Sequence, residues 1–129
     1  MQSQSGRSGK TILVVEDDLA IGALLARRLE HEGYRAVQAT NGKEALRVLV
    51  QTPIDLVITD ILMPEKDGLE LLGVVRQEHP GIKVITISGP EHQVYLRMSE
   101  RLGAVRSFCK PLDLTEIMSA VDQFTESSE

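Results

Sequence analysis

The sequence predicts an α/β fold in which a parallel sheet of five strands carries helices on both faces. Short apolar runs rich in Val and Ile recur along the chain, and each is followed by a stretch with apolar residues at helical spacing. With 129 residues, of which 42% are hydrophobic and 26% charged, the chain is long enough for one domain with its own core. Aromatic residues make up only 3%, so we expect an aliphatic core.

The first strand and the first helix set the pattern. T-I-L-V-V at 11–15 is a β-branched run of the kind that fills a sheet covered on both faces, and an acidic triplet follows it at 16–18. From Leu19 onward the apolar residues recur at helical spacing, and Gly33 supplies the stop. These two segments are therefore predicted to be a strand and then a helix.

The same unit recurs along the rest of the chain, although its letters differ. Further strands are predicted at 34–39, 54–59, 82–88 and 104–109, and further helices at 41–50, 68–79, about 91–102 and about 112–124. Strands that alternate with helices imply right-handed crossovers and hence a parallel sheet. We expect one domain at 10–125, a disordered lead at 1–9 and a C-terminal tail at 126–129.

Polar side chains collect at one edge of this predicted sheet. In such folds ligands bind beyond the carboxyl ends of the strands, where the strand order reverses. The polar residues at or just past the strand ends are Glu16, Asp17, Asp18, Asp60, Ser88 and Lys110. Carboxylates crowded into one crevice repel each other, and a hard divalent cation such as Mg²⁺ removes that cost.

The charges at this edge suit the transfer of a phosphoryl group. Three ionised carboxylates, namely Asp17, Asp60 and either Glu16 or Asp18, are balanced by a divalent metal and the Lys110 ammonium. A pocket balanced in this way can accept a phosphoryl group on a carboxylate, which is the chemistry that forms aspartyl phosphates. Asp60 is the best nucleophile candidate because it ends the central strand, next to the strand that carries the acidic residues.

Four motifs follow the predicted strands in order. They are V-V-E-D-D after the first strand, D-I-L-M-P-E-K-D-G after the third, T-I-S-G after the fourth and C-K-P after the fifth. In this order they resemble the receiver domains of two-component response regulators, over about residues 10–125. The resemblance implies a flavodoxin-like, doubly wound sheet with strand order 2-1-3-4-5.

The resemblance also implies a role for each polar residue at the edge. Asp60 is similar to the phosphoacceptor, Ser88 stands at the switch hydroxyl, and Lys110 is in the position of the lysine that contacts the phosphoryl group. The implied ligands of Mg²⁺ are Glu16, Asp17, Asp60 and the backbone carbonyl of Leu62. A cis peptide bond between Lys110 and Pro111 is a further expectation, since X-Pro bonds tolerate cis at low cost.

The implied function is that of a phosphoacceptor signalling domain in a two-component phosphorelay. A sensor histidine kinase or histidine phosphotransfer protein would be the donor, docking on the first helix around Ile21, Leu24 and Leu25. Such a domain is no enzyme beyond its own phosphotransfer and slow autodephosphorylation. Phosphorylation would switch the face made by the fourth helix, fifth strand and fifth helix, where an output domain, an effector protein or a second copy would bind. The chain fits either a stand-alone receiver or part of a longer regulator.

Composition excludes several other classes. A net charge of -5 gives no broad basic field, so direct binding of nucleic acid is not expected. No window approaches the ~20 apolar residues of a membrane span, and the lead lacks a secretory signal, so we expect a cytoplasmic protein. Cys109 is the only cysteine, which rules out an internal disulfide. The histidines, His31, His79 and His92, lack the spacing of a metal site.

Several residues near the motifs are better interpreted as structural. Asp18 stands where the first helix begins, so an N-cap is favoured over a metal ligand. Met63 and Pro64 are expected to form a turn, and Asp67 to begin the third helix. Cys109 within a strand is expected to be a small buried residue, with a reactive thiol as the alternative.

Two departures from the family pattern bear on function. Many receivers carry an aromatic residue three positions before the lysine, but this chain has Ser107 there, and strand alternation would point Phe108 to the opposite face. Phosphorylation would then be relayed by backbone movement of the loops, or weakly. Leu62 and Pro90 stand two positions past Asp60 and Ser88, where neither can hold an attacking water, so slow self-dephosphorylation is expected.

Two other functions compete with the phosphoacceptor. An aspartate-dependent phosphatase would need a second carboxylate two residues after the nucleophile, and the sequence places Leu62 there. A degenerate receiver that binds partners without phosphorylation is kept open by Ser107, although all the ligand-type residues are present.

Overall fold

The computed structural model describes residues 9–63 and 67–126. The strands are β1 (Thr11–Val15), β2 (Arg35–Ala39), β3 (Leu56–Asp60), β4 (Lys83–Ser88) and β5 (Arg106–Cys109), and the helices are α1 (Leu19–His31), α2 (Gly42–Gln51), α3 (Gly68–Glu78), α4 (Gln93–Arg101) and α5 (Leu114–Thr125). All strand pairs are parallel, in the order β2-β1-β3-β4-β5, which confirms the predicted fold class and strand order.

Some predictions fall outside the described residues. Apart from Gly9 and Glu126, the expected lead at 1–9 and tail at 126–129 lie there, as does Pro64 of the expected turn. Within the described ranges, no helix has the length and apolar character needed to span a membrane.

The central strands β1 and β3 are buried along their whole length. Ile12 and Val14 belong to a core cluster with residues of α1 and α5, whereas Leu13 and Val15 belong to a second cluster with residues of α2 and α3. Burying each such side chain stabilises the fold by about 1.5–3 kcal/mol. Because successive side chains serve opposite faces, a one-residue slip of β1 would exchange the two sets. The packing therefore fixes where each strand ends.

The helices begin at side chains that cap their free backbone amides. The N-caps whose side chains accept from these amides are Asp18, Asn41, Asp67 and Asp113. Asp18 accepts from the amides of Ala20 and Ile21 at 3.0 and 3.2 Å, so the expected N-cap of α1 is confirmed. Gly33 follows the end of α1 with a φ of 104°, a left-handed conformation that favours glycine.

The fourth helix differs from its prediction at the N-terminus. A 3-10 turn occupies Pro90–His92, and α4 starts only at Gln93. Proline fixes its own φ and lacks an amide hydrogen, which suits the first position of a turn but not a helix interior. The α-helix therefore begins two residues later than the expected start near Glu91.

The predicted docking residues of α1 divide between surface and core. Leu24 is 51% exposed, whereas Leu25 is fully buried. Leu25 lies one helical turn before Leu29, and both face the sheet in the same core cluster. A buried Leu25 cannot contact a partner, so its inclusion among the predicted docking residues was wrong, whereas Leu19, at the N-terminal end of α1, is 68% exposed.

Candidate functional site

The acidic residues after β1 and β3 meet at the carboxyl edge of the sheet. The two strands are adjacent, with Val15 beside Thr59, so the next residues, Glu16 and Asp60, lie side by side. The Glu16 amide donates to the Ala39 carbonyl at 3.0 Å, which continues the ladder between β1 and β2 and fixes the backbone at this point. Strand register thus brings together carboxylates that are far apart in the chain.

Three carboxylates form one cluster at this edge. One oxygen from each of Glu16, Asp17 and Asp60 lies within 4.8 Å of the others. Glu16 and Asp60 are buried, with exposures of 2% and 5%, while Asp17 is exposed. Asp18 points back onto α1 as its cap and is not a member of the cluster.

Lys110 reaches the cluster from the end of β5. Its ammonium Nζ lies 2.8 Å from Asp60 Oδ2 and 3.2 Å from Glu16 Oε1. The Lys110 amide donates to the Ser88 carbonyl at 2.7 Å, and the Lys110–Pro111 bond is cis, as expected. The lysine thus supplies a positive charge to two carboxylates that belong to neighbouring strands.

The raised pKa of Glu16 indicates that its carboxylate has too little positive charge nearby to be fully stabilised in the ionised form. Burial raises its pKa to about 7, and the charge of Asp60 adds to this, against the lowering effects of the Asp18 amide and of Lys110. Glu16 Oε2 accepts from the Asp18 amide at 3.1 Å, but the buried Oε1 has no hydrogen-bond partner among the described residues. Lys110 Nζ lies 3.2 Å from Oε1 without being aligned for a hydrogen bond, so the contact is an ion pair.

The Lys110 ammonium is held in its charged form. Burial alone would lower its pKa, but the hydrogen bond and charge of Asp60 outweigh burial, Glu16 adds to them, and the pKa is raised. A lysine of this kind stays protonated at neutral pH. It therefore provides a fixed positive charge beside the Asp60 carboxylate.

This donor set fits a hard divalent cation. Carboxylate oxygens are the ligands that Mg²⁺ takes in proteins, usually one or two of them with waters and phosphate oxygens. Glu16 belongs to the cluster, and its buried Oε1, which has an ion pair with Lys110 but no hydrogen-bond partner among the described residues, has the chemistry to bind such a cation. The Leu62 amide donates to Asp60 Oδ1 at 3.2 Å, so the Leu62 backbone lies against the same carboxylate. A ligand role for its carbonyl stays a prediction.

The loop after β3 is shaped by Gly68. Its amide donates to the Ile61 carbonyl, and a Cβ at this position would lie 2.1 Å from the Asp60 carbonyl oxygen and 2.7 Å from Ile61 Cα. Only glycine fits so close to backbone atoms. The start of α3 is thereby held against the residue that ends β3.

Ser88 lies at the same cleft, where its hydroxyl contacts a histidine. It is almost fully buried, and its Oγ lies 3.3 Å from His92 Nδ1. A cavity of about 210 Å³ is lined by Asp60, Leu62, Ser88, His92 and Lys110, among others. Its walls therefore include the predicted phosphoacceptor, switch hydroxyl and lysine together.

Sequence reasoning missed His92 and Glu91 as members of this cavity's wall. His92 was considered only as a metal ligand, and the structure shows that it contacts Ser88 instead. The signal that points to it is Pro90, because a 3-10 turn of three residues that starts at a proline brings the chain back over the residues before it. The His92 amide donates to the Gly89 carbonyl at 3.0 Å and closes this turn.

The residues before Lys110 point as strand alternation predicts. Phe108 is buried in the core cluster of α1 and α5, with the Arg106 guanidinium 4.6 Å from the centre of its ring. Ser107 lies on the opposite face, where its hydroxyl donates to Glu100 Oε2 of α4 at 2.7 Å. Phe108 therefore does not replace the missing aromatic residue. Cys109 is only partly buried, with its Sγ 3.4 Å from the Lys110 carbonyl oxygen.

The chain is similar to proteins of one kind over most of its length. The family model for the response regulator receiver domain matches residues 12–122. Sporulation initiation phosphotransferase F of Bacillus subtilis is 35% identical over 113 residues, covering 88% of this chain and 91% of that protein. The transcriptional regulatory protein GlrR of Escherichia coli is 35% identical over 117 residues, covering 91% of this chain but only 26% of GlrR.

Solved structures agree with this similarity. The receiver domain of NtrX from Brucella abortus superimposes with a TM-score of 0.85 at 30% identity, covering 91% of this chain and 99% of that domain. The response regulator protein TrrA from Thermotoga maritima, in complex with Mg²⁺-BeF, superimposes with a TM-score of 0.79 at 34% identity, covering 89% and 98%.

Proposed function

Because the chain belongs to the response regulator receiver domain family, we propose that it accepts a phosphoryl group on Asp60 in a two-component phosphorelay. The observation that carries the proposal is the position of Lys110 Nζ, 2.8 Å from Asp60 Oδ2 and beside the cluster of three carboxylates. A nucleophilic carboxylate, a fixed cation and a set of metal-ligand oxygens are what transfer to an aspartate requires.

The reaction follows from the residues around Asp60. An Asp60 oxygen attacks the phosphorus of a phosphohistidine, so that an O–P bond forms as the P–N bond breaks. The electron pair of the broken bond stays on the donor imidazole, which takes up a proton from solvent as it leaves. The Leu62 amide and the Lys110 ammonium each hold one Asp60 oxygen, and this fixes the carboxylate for attack.

Charge neutralisation comes from the same groups. Glu16, Asp17 and Asp60, with the Leu62 carbonyl, would hold Mg²⁺, which supplies positive charge to the phosphoryl oxygens when it is bound. Lys110 contacts a second phosphoryl oxygen, and the Ser88 hydroxyl donates to a third. Both side chains line the cavity above Asp60.

The donor would be a sensor histidine kinase or a histidine phosphotransfer protein, docking beside α1. The exposed Leu19 and Leu24 offer apolar contacts on this helix.

An effector or an output domain would bind the phosphorylated chain at the face of α4, β5 and α5, where α4 exposes Val94, Tyr95 and Met98. The same face would serve a homodimer. This chain spans about a quarter of the length of GlrR. If it is part of a longer regulator, the activity of the output domain is therefore also a matter of proposal. The proposal includes a cytoplasmic location for the chain, together with these partners.

Phosphorylation by acetyl phosphate tests the proposal. With Mg²⁺ present, the intact mass of the wild-type chain should rise by one phosphoryl group, and the rise should disappear in Asp60→Asn or after chelation of the metal. Asp18→Asn is the matched control, because its side chain still caps α1 and lies outside the carboxylate cluster. A folded wild-type chain that takes up no phosphoryl group would overturn the proposal in favour of a phosphorylation-independent binding module.

A further inference from the structure

The hydroxyl of Ser88 contacts the side chain of His92. Ser88 is 1% exposed, and its Oγ contacts His92 Nδ1 at 3.3 Å. No other side chain among the described residues forms a hydrogen bond with this hydroxyl. Where Nδ1 carries no proton, the Ser88 hydroxyl donates to it, and the proposed function requires the same hydroxyl, with its single proton, to donate to a phosphoryl oxygen on Asp60. The two contacts therefore compete for one side chain.

The local sequence explains why His92 sits over Ser88. Pro90 fixes the first residue of the 3-10 turn, and the His92 amide closes that turn on the Gly89 carbonyl at 3.0 Å. The turn brings the imidazole into the wall of the cavity that also contains Asp60. Glu91 Oε2 is 3.8 Å from Nδ1, on a side chain that is mostly exposed, so solvent weakens its electrostatic attraction for the ring.

We propose that His92, with Nδ1 as the acceptor, is a positioning residue that holds the Ser88 hydroxyl until a phosphoryl group on Asp60 displaces it. This rests on the proposed function, since without a phosphoryl group nothing competes for the hydroxyl. Phosphorylation breaks the contact between Ser88 and His92 and frees the imidazole. The event at Asp60 is thereby passed to the residue that directly precedes α4.

The start of α4 is built to respond to a change at His92. His92 occupies the N-cap position, and no side chain of the described residues caps the first amides of the helix. The His92 ring also contacts the Tyr95 ring, with centroids 6.1 Å apart, and Tyr95 is 41% exposed. A movement of His92 therefore changes its contact with Tyr95, which lies on the exposed face of α4.

This route also resolves how the signal passes with Ser107 in place of an aromatic residue. Ser107 donates to Glu100 near the C-terminal end of α4, and a buried hydroxyl contact of 2.7 Å joins Ser99 to Thr86 of β4. These two contacts hold the second half of α4 against the sheet. The uncapped first turn, next to His92, is the part left to move.

Titration with beryllofluoride and Mg²⁺ tests this role in the whole chain. His92→Leu fills the same space with an apolar side chain and leaves Ser88 without its partner, so the phosphoryl mimic should bind about fivefold tighter than to wild type, the factor of one net hydrogen bond. His92→Asn keeps a polar atom near the place of Nδ1 and should restore wild-type affinity. In wild type the amide NMR signals of 93–96 should shift on binding, and in His92→Leu they should shift less.

The outcomes separate the two proposals. Weaker or unchanged binding of beryllofluoride by His92→Leu would overturn the role of His92, since a histidine that supports the phosphoryl group directly would lower affinity when it is lost. Equal effects of His92→Leu and His92→Asn on beryllofluoride affinity would also overturn the role of His92. If wild type itself binds no beryllofluoride while it is folded, the proposed function fails, and this inference fails with it.

Discussion

Lys110 Nζ lies 2.8 Å from Asp60 Oδ2, although the two residues are 50 positions apart in the chain. They follow β5 and end β3, two strands that are separated in the sheet by β4. The side chain of Lys110 therefore crosses the end of β4, and its amide is fixed there by the Ser88 carbonyl at 2.7 Å. One ammonium thus links the ends of three strands at the candidate site.

Replacing Lys110 by Gln should slow phosphorylation of Asp60 by about a hundredfold, because a preorganised positive group that faces developing charge contributes on that scale. The rate is measured by intact mass after addition of acetyl phosphate with Mg²⁺. Lys83→Gln is the control, because Lys83 is exposed and begins β4 at the opposite end of the sheet. An unchanged rate in Lys110→Gln would show that the lysine serves only the fold.

Magnesium should stabilise the folded chain. Added Mg²⁺ relieves the repulsion among Glu16, Asp17 and Asp60, so it should raise the melting temperature in a concentration-dependent way. Asp17→Asn should weaken Mg²⁺ binding at least about tenfold. The same substitution at the neighbouring residue, Asp18→Asn, should leave the Mg²⁺ affinity near that of wild type. Equal losses in both variants would place the metal elsewhere than the carboxylate cluster.

The phosphorylated chain should lose its phosphoryl group slowly, over minutes to hours. Leu62 lines the cavity and carries no group that can hydrogen-bond a water aligned to attack. Leu62→Asn should speed hydrolysis of the phosphoryl group by about tenfold, because the amide can hydrogen-bond the attacking water. This is less than the rate enhancement that a well-positioned acid or base gives. Leu102→Asn, at an exposed leucine that follows α4, is the control. A lifetime of seconds in wild type would indicate that Glu91 or His92, in the same wall, holds the water.

The loop between β3 and α3 should not tolerate a side chain at Gly68. Gly68→Ala would place a Cβ 2.1 Å from the Asp60 carbonyl oxygen, so we expect a loss of about 2 kcal/mol or more in the free energy of unfolding. Gly73→Ala, in the same helix with nothing within 4 Å of its Cβ, should instead raise it by about 1 kcal/mol. Urea unfolding measures both, and similar values for the two variants would contradict this description of the loop.

The main geometry of the site could be predicted from the sequence because parallel strands end at one edge. Apolar runs that stop at Glu16 and Asp60 mark strand ends directly, so their proximity needs only the sheet order. The His92 contact could not be predicted in this way, since it depends on a turn that places a residue back over Ser88. The burial of Leu25 was missed because helical spacing alone does not fix which side of α1 faces the sheet.

The central claim is that Glu16, Asp17, Asp60 and Lys110 act around one phosphoryl group, and a crystal structure with Mg²⁺ and beryllofluoride tests it most directly. The account predicts beryllium bound to an Asp60 oxygen, Lys110 and Ser88 in contact with its fluorides, and Mg²⁺ held by Glu16 and Asp17 with the Leu62 carbonyl. Beryllofluoride bound to another residue, or Mg²⁺ bound away from these carboxylates, would contradict it.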